Sequence, residues 1–226
     1  MTHPHPTPDA PQVTVRGEGR LEVEPEFARI WVTVSARGTD RAETLADLTR
    51  RNARVLELVK GHGDAVEKLE TGSLSSPGAD PEGAREKVHA YTGRVRVTAE
   101  LTDFTALGEL VTRLADLELT SVDGPWWDLR PASPAYAEAR RLAVEEAVQR
   151  ARAYAGALGT SLASLLELSD AGLAEPPVPR RPGFGARAVA FAAEAAGEAP
   201  PLDLEPQRQT VTAEVVARFT MRPPAL

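Results

Sequence analysis

Two runs near the ends of the chain, in which apolar residues recur at every second position, constrain its fold most. From Val13 to Val23 the odd positions are apolar or glycine and the even positions are polar. The run from Val211 to Met221 places apolar residues at every odd position as well. A period of two residues predicts half-buried strands. Because a strand at the end of the chain needs a sheet to pair with, the chain is expected to fold back into one continuous unit.

Strand and helix periodicities alternate between these two ends. The first strand and the next, which follows Pro25, are expected to form an antiparallel hairpin, and Asp103 is expected to cap a helix. The elements predicted between the ends are a strand (28–36), a helix (45–59), a hairpin (66–75 with 88–102), a helix (104–114), a strand (119–129), a helix (134–158) and a short strand (164–169). Hairpins interleaved with helices are typical of α+β proteins.

The helix predicted at 134–158 carries alanine at every fourth position, from Ala139 to Ala155. Such a row of methyl groups lets a helix lie close to the surface that supports it. The fold class predicted for the whole chain is therefore α+β. It has a mostly antiparallel sheet built from two β-β-α units, a long Ala-striped helix and a returning C-terminal strand.

Three segments are distinguished by composition. Residues 1–12 are predicted to be a disordered tail, and residues 13–222 a single domain. Within that domain, residues 174–206 are rich in proline and alanine, and a connection of this length is usually functional or disordered. We interpret it as an excursion before the last strand.

Charge and cysteine content exclude several classes of protein. The formal net charge of -7 argues against a nucleic-acid binder, and the absence of cysteine excludes disulfides and thiolate metal sites. The sequence contains no run of 18 apolar residues, so no membrane span is predicted. Residues 1–12 lack the basic and apolar regions of a signal peptide. The sequence therefore predicts a cytoplasmic protein.

No catalytic, cofactor-binding or metal-ligating residue is predicted, and the chain is not expected to be an enzyme. The four histidines, at positions 3, 5, 62 and 89, show no ligand spacing. Gly159-Thr160-Ser161-Leu162-Ala163 lacks the second glycine of a nucleophile elbow. The glycine pair at 183–185 follows prolines, whereas a dinucleotide site needs a preceding strand.

Trp31, Trp126 and Trp127 are the three tryptophans of a chain in which only 5% of residues are aromatic. Because neighbours on a strand face opposite ways, one of Trp126 and Trp127 is expected in the core and the other toward solvent or a partner. The outward tryptophan either covers the sheet or anchors a subunit interface, where tryptophan is a frequent hot spot. Trp31, on the polar side of its strand, presents the same choice.

The excursion supplies the other candidate interface residues. Its proline run could fit an aromatic groove, although a spacer is the simpler interpretation. Residues 186–199 hold eight alanines and could form an amphipathic helix that packs on a neighbouring subunit. The candidate interface residues in this segment are Pro179, Arg180, Arg181, Phe184, Val189 and Phe191.

The order of these motifs resembles the SIMPL-domain family. The resemblance rests on the V-x-V-x-G-x-G of 13–19, the Pro25 turn, the Ala-striped helix ending in Ala-x-x-Leu-Gly at 155–159, and the closing strand at 211–219. It implies a self-associating α+β protein, a homo-oligomer with a possible protein partner and a possible role in stress responses, and it supplies no catalytic residues.

A second hypothesis is a small-ligand binder or enzyme. Its cleft would lie between the sheet and the Ala-striped helix. The residues expected around that cleft are Arg94, Arg96, Asp128 and Tyr136.

Overall fold

The computed structural model describes residues 6–79, 90–170 and 202–225, and its elements confirm the α+β class. Helices and strands follow one another in the order predicted from the periodicities. They are β1 (Gln12–Val23), β2 (Phe27–Gly38), α1 (Arg41–Lys60), β3 (Val66–Ala79), β4 (Tyr91–Leu101), α2 (Phe104–Ala115), β5 (Thr120–Asp128), α3 (Pro134–Ala157), β6 (Leu162–Asp170) and β7 (Gln209–Met221).

These elements group into two compact units. The first contains β1, α3, β6 and β7, with the strand order β1-β7-β6. The second contains the six elements from β2 to β5, with the strand order β3-β4-β2-β5. The tail at 1–12 and the single domain at 13–222 stay predictions, and residues 1–5 of that tail lie outside the described residues.

The hairpin expected between β1 and β2 is wrong, because the two strands belong to different sheets. β2 is a central strand whose two sides are occupied by β4 and β5, both antiparallel to it. It has no free side for β1. β1 lies beside β7 instead, where the Met221 N–H donates to the Pro11 carbonyl over 2.8 Å.

The second unit buries one face of its sheet under α1 and α2. The alternating residues Ile30, Val32 and Val34 of β2 are fully buried, as are Val97 and Ala99 of β4. The leucine stripe of α2 packs into the same cluster. The chain order β-α-β-β-α-β, with both helices on one face, is the split βαβ arrangement. Both α1 and α2 therefore lie on the same face of the sheet.

Each helix begins at a residue that caps its free backbone donors. The Asp103 carboxylate accepts hydrogen bonds from the N–H groups of Thr105, over 2.9 Å, and Ala106, over 3.1 Å. This confirms the predicted cap of α2. Asp40 caps α1 and Ser133 caps α3 in the same way.

Replacing Asp103 by alanine is expected to lower the free energy of unfolding by about 1 kcal/mol, because two donors of α2 lose their acceptor. Urea unfolding followed by circular dichroism measures the change. Asp116→Ala is the matched control, since Asp116 ends the same helix and a carboxylate there is unfavourable to the helix dipole. Equal losses in the two variants would contradict the capping role.

Candidate functional site

Trp126 and Trp127 point to opposite faces of the second unit's sheet, as predicted. Trp127 stands opposite Ala28 of β2 and packs on the buried cluster, edge-on to Phe104 with ring centroids 4.8 Å apart. Trp126 stands opposite Arg29, on the face opposite to α1 and α2, and is 40% exposed. Trp127 is therefore the core tryptophan and Trp126 the outward one.

Trp31 joins Trp126 on this face of the sheet. The two ring centroids lie 4.2 Å apart with the planes tilted by 46°. On the β4 side, the Arg96 guanidinium lies over the Trp31 ring, 5.4 Å from its centroid. Arg29 forms an ion pair of 2.8 Å with Glu100 nearby on the same face. We call Trp31, Trp126 and Arg96 the tryptophan surface.

A register shift on β5 sets the position of Trp126. Trp31 stands opposite Asp123 and Arg29 opposite Trp126, so β5 carries one more residue than β2 between these pairs. The bulge contains Gly124, whose φ of +117° is readily adopted only by glycine. This one-residue excess decides which tryptophan faces outward.

A second exposed apolar surface lies on the first unit, where β6 forms one edge of the sheet. Leu165 stands opposite Phe219 of β7, and Leu168 stands opposite Ala217. The β7 residues are 6% and 1% exposed, whereas Leu165 and Leu168 are 53% and 48% exposed. Cross-strand partners share a face of a sheet. The face of the sheet that is buried at β7 is therefore exposed to solvent at β6.

The position of α3 explains this difference. α3 lies so close to β1 that a Cβ atom built on Gly17 would be 2.1 Å from the Ala143 carbonyl oxygen, and one on Gly19 would be 2.0 Å from the Ala139 carbonyl oxygen. The alanines of the predicted stripe are buried at this contact. Glycine on the strand and alanine on the helix therefore hold α3 over β1, at the far side of the sheet from β6.

The space left between α3 and β6 is a groove of about 540 Å³. Phe219, Leu162 and Leu165 line its sheet side, and Val148 and Arg152 line its helix side. We call these residues, with the neighbouring Leu168, the β6 groove. Arg152 is the charged residue of its lining.

The sequence did not identify the β6 groove, because the leucines do not alternate. β6 carries extra residues at Ala163 and Leu166, where its register with β7 shifts. These shifts bring Leu162, Leu165 and Leu168 to one face at a spacing of three residues. A pattern of two bulges in nine residues is not recognisable as a strand face from the sequence alone.

An arginine-rich hollow beside α1 is a network of ion pairs. Its charged lining residues include Asp47, Arg50, Arg51 and Glu118. Arg51 Nε donates to Asp47 over 2.8 Å and Arg51 Nη1 to the Glu118 carbonyl over 2.9 Å, while Arg50 also pairs with Asp47. The hydrogen bond from Arg51 lowers the pKa of Asp47. These guanidinium groups are occupied by carboxylates and carbonyls of the chain itself.

The residues of the ligand-binding hypothesis lie apart from the β6 groove. Arg94, Arg96 and Asp128 belong to the second unit, and Tyr136 belongs to α3 of the first. None of them lines the groove. In residues 6–79, 90–170 and 202–225, no three His, Asp or Glu side chains are placed to hold a metal ion. No helix in the same ranges is long and apolar enough to cross a membrane.

The candidate residues of the excursion lie outside the described residues. These are Pro179, Arg180, Arg181, Phe184, Val189 and Phe191. Their part in an interface stays a prediction.

A family comparison agrees with this arrangement of elements. The profile of a family described as "SIMPL: Protein of unknown function (DUF541)" matches residues 13–219. The chain belongs to the SIMPL family. The match runs from β1 to β7 and so includes both units of this SIMPL protein.

Two curated relatives carry the name "26 kDa periplasmic immunogenic protein", one from Brucella melitensis and one from Brucella abortus. Each is 24% identical to the SIMPL chain over 182 residues, which cover 74% of this chain and 69% of the relative. Neither these names nor the family description is that of an enzyme.

The names of these relatives correct the expected location. The cytoplasmic prediction is wrong, because the similar proteins are named periplasmic and point to that compartment. The prediction rested on what residues 1–12 lack, and the lack of a motif does not define a compartment. The absence of cysteine, by contrast, is compatible with either redox environment.

A solved structure assigned to an amidohydrolase/peptidase from Burkholderia cenocepacia also matches the SIMPL chain. The identity is 19% and the TM-score 0.28, and the match covers 65% of this chain and 34% of the other. A similarity of this extent carries no argument about activity.

Proposed function

We propose that this SIMPL protein is a non-enzymatic, self-associating protein of the periplasm that acts through assembly. One observation carries the proposal. Leu165 and Leu168 of the edge strand β6 are about half exposed, although their neighbours on the same face of β7 are buried. Contiguous exposed apolar side chains mark sites of association in soluble proteins. The stress-related role implied by the family stays a prediction.

The tryptophan surface supports a second contact, with a protein partner. Tryptophan and arginine are the residue types most enriched among interface hot spots. Trp31, Trp126 and Arg96 are grouped on the sheet face opposite to α1 and α2, where Trp31 contacts both of the others. Because these side chains are preorganised, a partner that covers them loses little side-chain entropy on binding.

A small-ligand site is the alternative use of the β6 groove. Its volume of about 540 Å³ falls in the range of small-molecule pockets, and its lining is apolar apart from Arg152 and a few hydroxyl groups. An amphiphile with an acidic head group would suit that lining. This function predicts ligand binding without a change in molecular mass.

Light scattering after size exclusion tests the assembly. The purified protein is expected to show a mass above that of one chain, which is 24.2 kDa. The double variant Leu165→Ser, Leu168→Ser is expected to raise the dissociation concentration at least about ten-fold, because it removes the apolar area that association would bury.

The matched control is Leu45→Ser, Leu74→Ser, which changes leucines of similar exposure on the second unit. It is expected to leave the mass unchanged. A wild-type mass of one chain at millimolar concentration would refute the proposed function. An equal effect of the two double variants would show that association is nonspecific.

A further inference from the structure

Three arginines are grouped on the sheet face of the second unit that is opposite to α1 and α2. Arg94 and Arg96 of β4 and Arg37 of β2 point to this face, because their neighbours Val95 and Ala36 belong to the buried cluster on the other one. All three arginine side chains are exposed. We call Arg37, Arg94 and Arg96 the arginine patch.

The cross-strand neighbours of the arginine patch are hydroxyl residues. The residues directly opposite its members are Thr33, Ser35, Ser73, Ser75 and Thr92. Cross-strand partners share a face of the sheet. The patch is therefore bordered by side chains that can donate further hydrogen bonds to an oxyanion.

The carboxylates of this face stand in other cross-strand rows, those of Phe27, Arg29 and Trp31. The carboxylates that cross-strand pairing places there are Glu70, Glu100, Asp123 and Asp128. Two of them already have a cation, since Glu70 pairs with Lys68 and Glu100 with Arg29. Within residues 6–79, 90–170 and 202–225, no carboxylate forms an ion pair with the arginine patch. Its three charges are thus uncompensated in that part of the chain.

We propose that the arginine patch binds an acidic segment of a protein partner, in which carboxylates alternate along an extended chain. The inference rests on the proposed partner contact at the tryptophan surface and specifies the chemistry of that partner. A guanidinium group presents a planar fork of donors that matches a carboxylate. An exposed group of cations favours a partner of opposite charge, because complementary potentials steer and orient the encounter.

The spacing of the patch matches such a segment. Alternate residues of a strand lie about 6.7 Å apart and point to one side. Arg96, Arg94 and Thr92 follow one another at this interval, and Arg37 stands opposite Thr92. Carboxylates at alternate positions of an extended peptide have the same interval. Three carboxylates can therefore meet the three guanidinium groups in register.

Arg96 connects the arginine patch to the tryptophan surface. Its guanidinium lies over the Trp31 ring, 5.4 Å from the centroid, and Trp31 contacts Trp126. The contact with the ring restricts Arg96, so less side-chain entropy is lost when a carboxylate binds. Trp126 is 40% exposed and two cross-strand rows beyond Arg96. An apolar residue that follows the carboxylates of the partner can cover it.

A nucleic acid suits this face less well than an acidic protein segment. Its affinity depends on the number of phosphates that cations neutralise. The patch supplies three arginines, in a chain of formal net charge -7. A longer polyanion would also extend over Glu70, Glu100 and Asp123 on the same face.

Two labelled peptides of one composition test the inference on the unaltered protein. Each contains three glutamates, three serines and a terminal leucine, and the glutamates alternate with the serines in one peptide and are adjacent in the other. By fluorescence anisotropy, the alternating peptide is expected to bind about five-fold more tightly, because adjacent side chains of an extended chain point to opposite sides. Equal affinities, or no binding up to about 1 mM protein, would overturn the inference. Tighter binding of an oligothymidylate would overturn it in favour of a nucleic acid.

An arginine variant assigns the binding to the patch. Arg94→Ala, Arg96→Ala is expected to raise the dissociation constant of the alternating peptide at least about ten-fold, and Arg94→Lys, Arg96→Lys to recover part of the loss. The matched control is Arg113→Ala, Arg140→Ala, which removes the same charge from exposed positions of α2 and α3. It is expected to bind as the wild type does. Equal losses in the two alanine variants would show that the peptide senses only the net charge and would overturn the inference.

Light scattering of the same variants separates this inference from the proposed assembly. Arg94→Ala, Arg96→Ala is expected to keep the mass of the wild type, because the β6 groove belongs to the first unit. A protein that assembles but does not prefer the alternating peptide would overturn the inference alone. A mass of one chain together with selective peptide binding would overturn the assembly alone. Loss of assembly in the arginine variant would show that the patch contacts another copy of the chain and would overturn its assignment to an acidic partner.

Discussion

Replacing Gly17 by alanine is expected to lower the free energy of unfolding by about 3 kcal/mol or more, because the added methyl group would overlap the backbone of α3. The new Cβ would lie 2.1 Å from the Ala143 carbonyl oxygen and 2.6 Å from the Ala147 amide nitrogen. Both are backbone atoms of α3, which cannot rotate away as a side chain can. The helix must shift, and overpacking of this kind typically costs about 1–3 kcal/mol even where side chains adjust.

Gly156→Ala is the control, because it places the same methyl group on α3 itself. Nothing lies within 4 Å of the Cβ position at Gly156. Alanine in a helix is favoured over glycine, so this variant is expected to gain about 0.5–1 kcal/mol. Urea unfolding followed by the helical circular dichroism signal measures both variants. A loss below about 1 kcal/mol for Gly17→Ala would mean that α3 is not held on β1 as described.

The periodic elements were predictable because their pattern and their burial have the same cause. In α3, the alanines from 139 to 155 form one face, and that face is the one buried. In α2, the predicted stripe contains Leu107, Leu110 and Leu114, which are fully buried. Asp103 was recognisable because a capping residue acts within three positions of itself. Local pattern was sufficient at each of these sites.

Strand pairing was less predictable, because it depends on residues distant in the sequence. The Pro25 turn made a hairpin of β1 and β2 the simplest expectation, yet β4 and β5 occupy both sides of β2. β1 instead finds β7, about 200 residues later. The alternation of β1 predicts a strand that needs partners. It does not specify which of the other strands supplies them.

The candidate site was predicted in part. The opposite directions of Trp126 and Trp127 followed from strand geometry, whereas the choice of the outward one depended on the bulge at Gly124. The β6 groove could not be predicted, since it requires both the bulges of β6 and the position of α3 over β1. A groove forms between two elements, so it cannot be predicted from the periodicity of either element alone.

Trp127→Ala is expected to lower the free energy of unfolding by about 3 kcal/mol, whereas Trp126→Ala is expected to cost about 1 kcal/mol. Trp127 packs on the core and on Phe104, so its removal leaves a cavity under the sheet. Trp126 loses its ring contact with Trp31, and such aromatic pairs contribute about 0.5–1.5 kcal/mol.

Each of these two variants is a control for the other, because they remove the same side chain from adjacent positions of β5. Urea unfolding followed by circular dichroism gives both free energies. Iodide quenching of the remaining tryptophan fluorescence should decrease in Trp126→Ala, which lacks the exposed ring, and not in Trp127→Ala. If a protein partner binds the tryptophan surface, its affinity should fall in Trp126→Ala, the variant that unfolds less readily. The loss of stability would then be larger at Trp127 and the loss of binding larger at Trp126. Equal losses in the free energy of unfolding would contradict the assignment of Trp127 to the core and Trp126 to the surface.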